Sequence, residues 1–227
     1  SNAIVCLTKE AKEIYLSENK NLSSEDLYLI RTCVDTDKFN IKLTPKKQCL
    51  TFGYIGTTDT AYDIKKVLNF YYKFNETYQS LFYIYTNSDH KFLLENIPGK
   101  FIDAKNIIIK KVHYRDIPSA LEDIDVGIFF LKENFSIKAS MPTKIGEFLA
   151  CGIPIVCNQF NQDIKEIISN RNGYILDFDS YHRSDFDEIQ NLNRLDKSTI
   201  RRNAISSFSL TDGAKKYKDI YLKLLND

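Results

Sequence analysis

From Cys49 onward the sequence alternates short apolar runs with stretches of helical periodicity. The apolar runs are CLTFGYIG, SLFYIYTN, IIIKKV, DVGIFFL, IPIVCN and GYILDF. DVGIFFL and IPIVC are apolar without alternation, as expected for strands that are buried on both faces. Six strands separated by helices predict an α/β fold, a doubly wound, Rossmann-like parallel sheet of about six strands.

The two ends of the chain depart from this alternation. IVCL and LYLIRTCVD are predicted as strands on either side of a helix over residues 9–17, and residues 36–48 as a linker. Residues 198–227 carry two helical patterns, with Thr211 or Asp212 as the predicted cap between them. The opening Ser-Asn-Ala resembles the scar of a cleaved expression tag.

Composition excludes several classes of function. A net charge of +1 over 227 residues gives no basic excess for nucleic acid, and no apolar run approaches the roughly 18 residues that span a membrane. The five cysteines form no CxxC pair and are odd in number, which favours a reducing cytoplasm over a zinc site or a complete disulfide framework. A soluble small molecule or a protein is the expected partner.

The stretch MPTKIGEFLACGIPIVC predicts a short helix with an anion site at its front. Pro142 suits a first helical turn and Gly152 suits a left-handed terminator, so the helix should run from about Pro142 to Cys151. It follows the strand DVGIFFL, which places its N-terminus at the carboxyl edge of the sheet. Ligands bind there in doubly wound folds, and free helix N–H groups hold anions.

Glu147 follows Thr143 by four residues and Lys144 by three, so the three side chains lie near one another along this helix. With a phosphate on the N–H groups of Thr143 and Lys144, the Glu147 carboxylate could accept two hydrogen bonds from a ribose. The alternative is an ion pair of Glu147 with Lys144 on a solvated face, and helix statistics alone favour that alternative.

Two further loops fall at the same edge of the predicted sheet. In FGYIGTTDT, a strand ends at Gly56 and Thr57, where small residues let a phosphate approach the backbone, although a turn capped by Thr58, Asp59 or Thr60 is the simpler interpretation. In VHYRDIPSALEDID, a strand ends at His113, Tyr114 and Arg115, and a base could stack there. His113 has no ligand spacing with His90 or His182, so a capping or surface role is favoured over metal binding.

Taken in order, these segments resemble the C-terminal, nucleotide-sugar-binding domain of a GT-B glycosyltransferase, most similar to glycosyltransferase family 4. MPTKIGEFLACGIPIVCN resembles the family segment PxKxxEYxAxGxPVI, EIISNRNGYILDF resembles EIIxxxxxGxLV, and RTCVDTDKF resembles NGVDxxxF. The resemblance extends from about Leu29 to the C-terminus.

The resemblance implies a donor site for a nucleotide-diphosphate sugar, UDP- or GDP-linked. It implies that Glu147 binds the ribose. The diphosphate would be held by the backbone at Gly56 and Thr57 and at the start of the helix, by Pro142, Thr143 and Lys144. It also implies that His113 and Tyr114 contact the base. It implies neither a metal nor a cofactor, since helix dipoles and basic side chains meet the charge of the leaving group. No catalytic residue is assigned, and Lys144 is a candidate for diphosphate charge.

The sequence departs from the family pattern in two places. Ala139 stands where many members carry the first glutamate of an E-x7-E pair, so a contact to the donor sugar is missing or supplied otherwise. GTTDTAYDIKK replaces GRxxxxKG, so only Lys65, Lys66 or Lys144 could supply the positive charge.

The resemblance also predicts a division of the chain and a cellular role. Residues 4–48 correspond to the end of an acceptor-binding domain with its linker, residues 49–209 to the donor domain, and residues 210–227 to a helix that returns to the first domain. The expected enzyme is cytoplasmic, metal-independent and retaining. It would transfer a hexose to a glycan or lipid-linked acceptor in bacterial surface polysaccharide or glycoconjugate synthesis. This chain alone should transfer sugar poorly, because the acceptor side is incomplete.

Other interpretations stay open. A nucleotide-sugar epimerase of the same fold would need a carboxylate and histidine at the sugar ring, and no convincing pair is evident. A non-catalytic nucleotide-binding module is compatible with Ala139. The charged runs RLDKSTIRRN and AKKYKDIYLK could hold the chain at anionic lipid on the inner face of the plasma membrane, but solvated helix faces are favoured. An apolar surface at the missing domain would favour a dimer.

Overall fold

The computed structural model describes residues 2–42, 48–58, 61–97 and 105–226. Its strands are β1 Ile4–Cys6, β2 Leu27–Leu29, β3 Leu50–Ile55, β4 Ser80–Tyr85, β5 Ile107–Lys110, β6 Val126–Ile128, β7 Ile155–Cys157 and β8 Gly173–Ile175. Its α-helices are α1 Lys9–Glu18, α2 Ile64–Thr77, α3 His90–Asn96, α4 Ile117–Ala120, α5 Thr143–Ala150, α6 Ile164–Ile167, α7 Arg183–Gln190, α8 Lys197–Phe208 and α9 Leu210–Asn226.

Strands β3 to β8 form one parallel sheet in the order β5-β4-β3-β6-β7-β8. The chain builds outward from β3 in one direction and then returns to start again at β6, so the strand order reverses between these two neighbours. All residues of β3, β6 and β7 are buried, as their unbroken apolar runs predict. The predicted doubly wound α/β fold is therefore confirmed.

A small unit at the start of the chain packs against this sheet domain. Strands β1 and β2 pair in parallel around α1, with their own apolar cluster of Cys6, Ala11 and Leu27. Pairing stops at Leu29, earlier than the run LYLIRTCVD predicts. Val34 instead forms a bridge with Ser209, because the chain at this point leaves the small sheet for the helices at the end of the chain.

Asp163, just before α6, joins the two parts. Its carboxylate is wholly buried and accepts hydrogen bonds from the backbone N–H groups of Lys9, at 3.0 and 2.9 Å, and of Glu10, at 3.2 Å. Arg31 Nη2 lies 3.1 Å from the same carboxylate. One side chain of the sheet domain therefore caps the N-terminus of α1 and pairs with a cation next to β2.

The break between the last two helices falls at Ser209, not at Thr211 or Asp212, which lie in the first turn of α9. The Ser209 hydroxyl accepts from the N–H of Asp212 at 3.3 Å and so takes the capping position. The Leu210 N–H donates to the carbonyl of Val34 at 3.0 Å, which fixes the break against the incoming chain. None of the helices in the described part of the chain is long and apolar enough to cross a membrane.

Helix α5 lies in the centre of the molecule, between the sheet and α8. A Cβ atom on Gly127 of β6 would lie 2.7 Å from the Phe148 ring, so the glycine permits close approach of α5 to the sheet. On the opposite side, a Cβ atom on Gly146 would lie 3.2 Å from Phe208 and Val34. Glycines on both sides of this contact therefore set the position of the helix that carries the predicted anion site.

Arg201 of α8 fixes the far end of α5. Its Nη1 donates to the carbonyls of Phe39 and Ala150 at 2.6 and 2.5 Å, and its Nη2 donates to the carbonyl of Thr36 at 2.6 Å. We expect Arg201→Met to lower the free energy of unfolding by about 2–4 kcal/mol, because three carbonyls lose a charged donor. Urea unfolding measures this. The neighbouring, exposed Arg202→Met is the control, and an equal loss in both variants would contradict the assignment.

Candidate functional site

The predicted segments meet where the strand order reverses. Gly56 follows β3 with φ of 119°, and α5 follows β6, so both lie at the carboxyl edge of adjacent strands. Lys144 Nζ lies 3.0 Å from the position that a Cβ on Gly56 would occupy. The loop after β3 and the N-terminus of α5 therefore form one crevice, in the place where doubly wound folds bind ligands.

The front of α5 has free donors. Pro142 is the N-cap residue, one position before the predicted start, and no side chain caps the helix. The Ile145 N–H donates to the Pro142 carbonyl at 3.2 Å, whereas the N–H groups of Thr143 and Lys144 have no acceptor within the described ranges. Thr143 is exposed, so these two donors face an open surface. They suit an anion.

The back of α5 ends as the sequence predicts, within one residue. Gly152 has φ of 70°, its N–H donates to the Leu149 carbonyl at 2.9 Å, and the Ile153 N–H donates to the Phe148 carbonyl at 3.0 Å. This is a Schellman motif. The chain therefore turns directly from α5 back into the sheet as β7, and the front of α5 stays fixed at the crevice.

Glu147 lies inside the molecule. Every residue from Lys144 to Ala150 is buried, and Lys144 and Glu147 are only 5% and 6% exposed. The alternative of an ion pair on a solvated face is therefore wrong, because neither side chain lies on a solvated face of α5. No ion pair or side-chain hydrogen bond of Glu147 exists within the described residues.

The pKa shifts of Glu147 and its neighbours indicate which groups lie near its carboxylate. Burial raises the pKa of its carboxyl, and nearby Lys144 partly opposes this. The pKa of Tyr62 rises to about 12, through burial and the Glu147 charge, and that of Tyr114 is also raised by burial and by Glu147. The carboxylate is therefore within electrostatic reach of Tyr62 and Tyr114, and the predicted ribose and base contacts share one site.

Lys144 is enclosed by aromatic rings. Its Nζ lies 3.3 Å from the ring centroid of Tyr62, 4.4 Å from that of Tyr54 and 5.5 Å from that of Phe129. Within the part of the chain that the structure describes, Nζ has no hydrogen-bond partner. Burial holds the pKa of this amine well below its usual range, with only partial compensation by Glu147. We refer to Tyr54, Tyr62 and Phe129 as the ring cage.

The structure distinguishes the three lysines that could supply positive charge. Lys65 is exposed on the first turn of α2. Lys66 Nζ lies 5.3 Å from the centroid of the Phe178 ring, on the side of β8. Only Lys144 lies beside Gly56, and its stem runs back to the free front of α5.

The loop after β3 differs from the simple capped turn. Asp63 is the N-cap of α2 and accepts from the Lys66 N–H at 3.1 Å. Thr58 is therefore not the cap, and the other two candidates, Asp59 and Thr60, lie outside the described residues. The Thr57 carbonyl accepts a hydrogen bond from the Tyr54 hydroxyl, and Thr57 itself is exposed. The Thr58 hydroxyl oxygen is buried and has no hydrogen-bond partner among the described residues.

The loop after β5 supplies an exposed aromatic ring. Tyr114 is 57% exposed and packs on Phe39, with ring centroids 6.3 Å apart. His113 Nδ1 accepts from the Arg115 N–H at 3.3 Å, so its side chain caps the turn that carries Tyr114. Ala139 is exposed at the end of the 3-10 turn Phe135–Ala139, directly ahead of α5.

The ring cage was not among the residues predicted from the sequence. Tyr54 lies within the strand pattern of β3, Tyr62 lies in an irregular segment before α2, and Phe129 follows β6. Aromatic residues at such positions are typical of a core, and nothing in their spacing indicates that they enclose a lysine from another segment. The pairing of β3 with β6 and a bridge between Tyr62 and Leu131 bring them together.

Comparison with known proteins gives a fold but no family. No family model matches the sequence, and no curated protein matches it. A glycosyltransferase from Rickettsia africae superposes with a TM-score of 0.75 at 15% identity, over 100% of this chain and 64% of that one. An Anabaena protein in complex with UDP and glucose gives 0.72 at 8% identity, over 97% of this chain and 63% of that one.

The C-terminal domain of a glycosyl transferase group 1 family protein from Francisella tularensis gives a TM-score of 0.60 at 14% identity, over 78% of this chain and 99% of that one. The chain thus spans about two thirds or less of the longer structures and nearly all of this isolated domain. The strand order, the buried helix α5 and these structural similarities support the same conclusion: the chain has the Rossmann-like fold of GT-B glycosyltransferase domains.

Proposed function

We propose that this chain is the donor-binding part of a glycosyltransferase that uses a nucleotide-diphosphate sugar. The observation that carries the proposal is the buried Lys144, whose Nζ has no hydrogen-bond partner among the described residues, together with the buried Glu147, behind the free N–H groups of α5. Burying two ionisable groups opposes folding. A bound ligand that supplies both an anion and hydroxyl groups would satisfy them.

Each part of such a ligand has a counterpart in the crevice. The diphosphate would accept hydrogen bonds from the N–H groups of Thr143 and Lys144 and lie against the backbone of Gly56 and Thr57, where no side chain intervenes. Glu147, one turn further along α5, would accept hydrogen bonds from the ribose hydroxyls. The exposed ring of Tyr114 would stack on the base, with His113 holding its turn.

The chemistry that follows is electrostatic. When the bond from the sugar to the diphosphate breaks, negative charge develops on the leaving phosphate. The front of α5 and the Lys144 amine would stabilise that charge, so the step needs no divalent ion. The Anabaena neighbour holds UDP and glucose, which supports the same ligand class here. We extend the proposal to retaining transfer by a member of glycosyltransferase family 4, with a glycan or lipid-linked acceptor in surface polysaccharide synthesis.

A thermal unfolding series tests this proposal. The melting temperature is measured with UDP, GDP, ADP, CMP and their common sugar conjugates. A nucleotide at about a hundred times its dissociation constant should add roughly 2.7 kcal/mol, or about 5–10 °C for a chain of this size. We expect one nucleoside diphosphate to give this shift and CMP to give much less, because CMP lacks the second phosphate. If no nucleotide shifts the melting temperature, the proposal is wrong.

A further inference from the structure

The Lys144 amine occupies an environment that disfavours its charge. Nζ is buried. Among the described residues, no carboxylate lies within 4.0 Å of it and no group accepts a hydrogen bond from it. The titratable groups that face it are Tyr54 from β3, Tyr62 from the segment before α2, and Glu147 from α5, while β6 contributes the apolar Phe129. A lysine in such a position is usually paired or exposed.

Two effects compete at this amine. The ring faces attract an ammonium, most strongly that of Tyr62 at 3.3 Å. Removal of water penalises the ammonium, and none of the three donors of the charged group finds an acceptor among the described residues. Loss of hydration outweighs the attraction of the Glu147 charge and lowers the pKa of the amine. Burial without an acceptor therefore favours the neutral amine.

We propose that the ring cage stores the Lys144 amine uncharged and that the amine takes up a proton when a nucleotide diphosphate enters the crevice. This inference rests on the proposed function. The diphosphate would bring its negative charges beside Gly56, next to Nζ, and would supply the missing acceptors. The proton comes from solvent and remains on Nζ, and no covalent bond of the nucleotide changes.

The other groups facing the amine give a different signal or none. The Tyr54 hydroxyl donates to the Thr57 carbonyl. The pKa of Tyr62 is about 12, so this phenol keeps its proton near pH 8. The pKa of Glu147 is raised by burial. A ribose that hydrogen-bonds to its carboxylate favours ionisation, so any proton that Glu147 exchanges on binding is released and not taken up. Proton uptake on binding therefore indicates Lys144, and proton release indicates Glu147.

Calorimetric titration with UDP and with GDP at pH 8 tests the proposal. Each titration is repeated in HEPES, Tricine and Tris, whose ionisation enthalpies differ, and phosphate buffer is avoided because it competes for the site. The terminal phosphate of the nucleotide, with a pKa of about 6, is already ionised at this pH. We expect the protein to take up between about half a proton and about one proton per nucleotide bound, since one group titrates.

Variants assign the proton to Lys144 and its ring cage. Lys144→Met should bind more weakly and take up no proton, and Lys65→Met should behave as the parent chain. Tyr62→Phe keeps the ring and should keep the uptake. Tyr62→Ala opens the cage to water, so the amine is charged before the nucleotide arrives, and the uptake should fall towards zero while binding persists.

The outcomes separate the two proposals. If a nucleotide binds with the same heat in all three buffers, the proposed donor site stands and the proposed proton uptake is wrong. Uptake that persists in Lys144→Met also overturns it. If neither UDP nor GDP gives a binding heat, the proposed function fails and this inference fails with it.

Discussion

Replacing Asp163 with alanine is expected to lower the free energy of unfolding by about 3–5 kcal/mol. The change leaves Arg31, only 17% exposed, without its partner, and it removes the acceptor for the first N–H groups of α1. In a chain of this size the melting temperature should fall by about 6–20 °C. The measurement is urea or thermal unfolding of the parent and the variant.

Glu166→Ala is the matched control for Asp163→Ala. Glu166 lies three residues further along, and its carboxylate pairs with the Lys9 side chain at 2.5 Å, with both groups more than half exposed. Exposed pairs contribute about 0–1 kcal/mol, so the control should change little. A loss in Glu166→Ala as large as that in Asp163→Ala would show that burial of Asp163 is not what joins the small unit to the sheet domain.

Glu147→Gln is expected to weaken binding of the nucleotide by about 10- to 150-fold, which corresponds to about 1.5–3 kcal/mol. Glutamine keeps the length of the side chain but provides one neutral acceptor in place of a charged carboxylate. The dissociation constant is measured by calorimetry. Glu166→Gln, outside the crevice, should leave it unchanged. Equal affinity of the Glu147 variant and the parent would contradict a role of this carboxylate in binding.

The Glu147→Gln variant should be more stable than the parent chain in the absence of nucleotide. Burial raises the pKa of Glu147 in the folded state above its unfolded value of about 4.3. The stability of the parent therefore decreases as the pH rises from that value through the folded pKa, and glutamine escapes this penalty. Urea midpoints at pH 4.5 and pH 8 should show an advantage of the variant that grows with pH. An advantage that is largest at pH 4.5 would contradict the sign.

Much of the fold follows from local patterns. The unbroken apolar runs of β6 and β7 indicate burial on both faces, and a parallel sheet covered by helices provides it. The signals around α5 are equally local: Pro142 opens the helix and Gly152 closes it. Such features depend on neighbouring residues alone, so the sequence places them within one residue.

The polar side chains of α5 show where local reasoning fails. Spacing on an isolated helix favours an exposed pair of Lys144 and Glu147, whereas aromatic rings from distant segments cover Lys144 and lie near Glu147. The ring cage joins residues from β3, the segment before α2 and β6, and Asp163 meets α1 across more than 150 residues. These contacts are set by the order of the strands, which no residue pattern encodes directly.

The central claim is that a nucleotide diphosphate binds at the front of α5. A titration of the ¹⁵N-labelled chain with UDP and GDP, followed by amide correlation spectra, tests it most directly. We expect the largest shifts at the amides of Gly56, Thr57, Thr143 and Lys144, with smaller shifts at His113 and Tyr114, and none in α9. Shifts centred elsewhere, or none at saturating nucleotide, would contradict the claim.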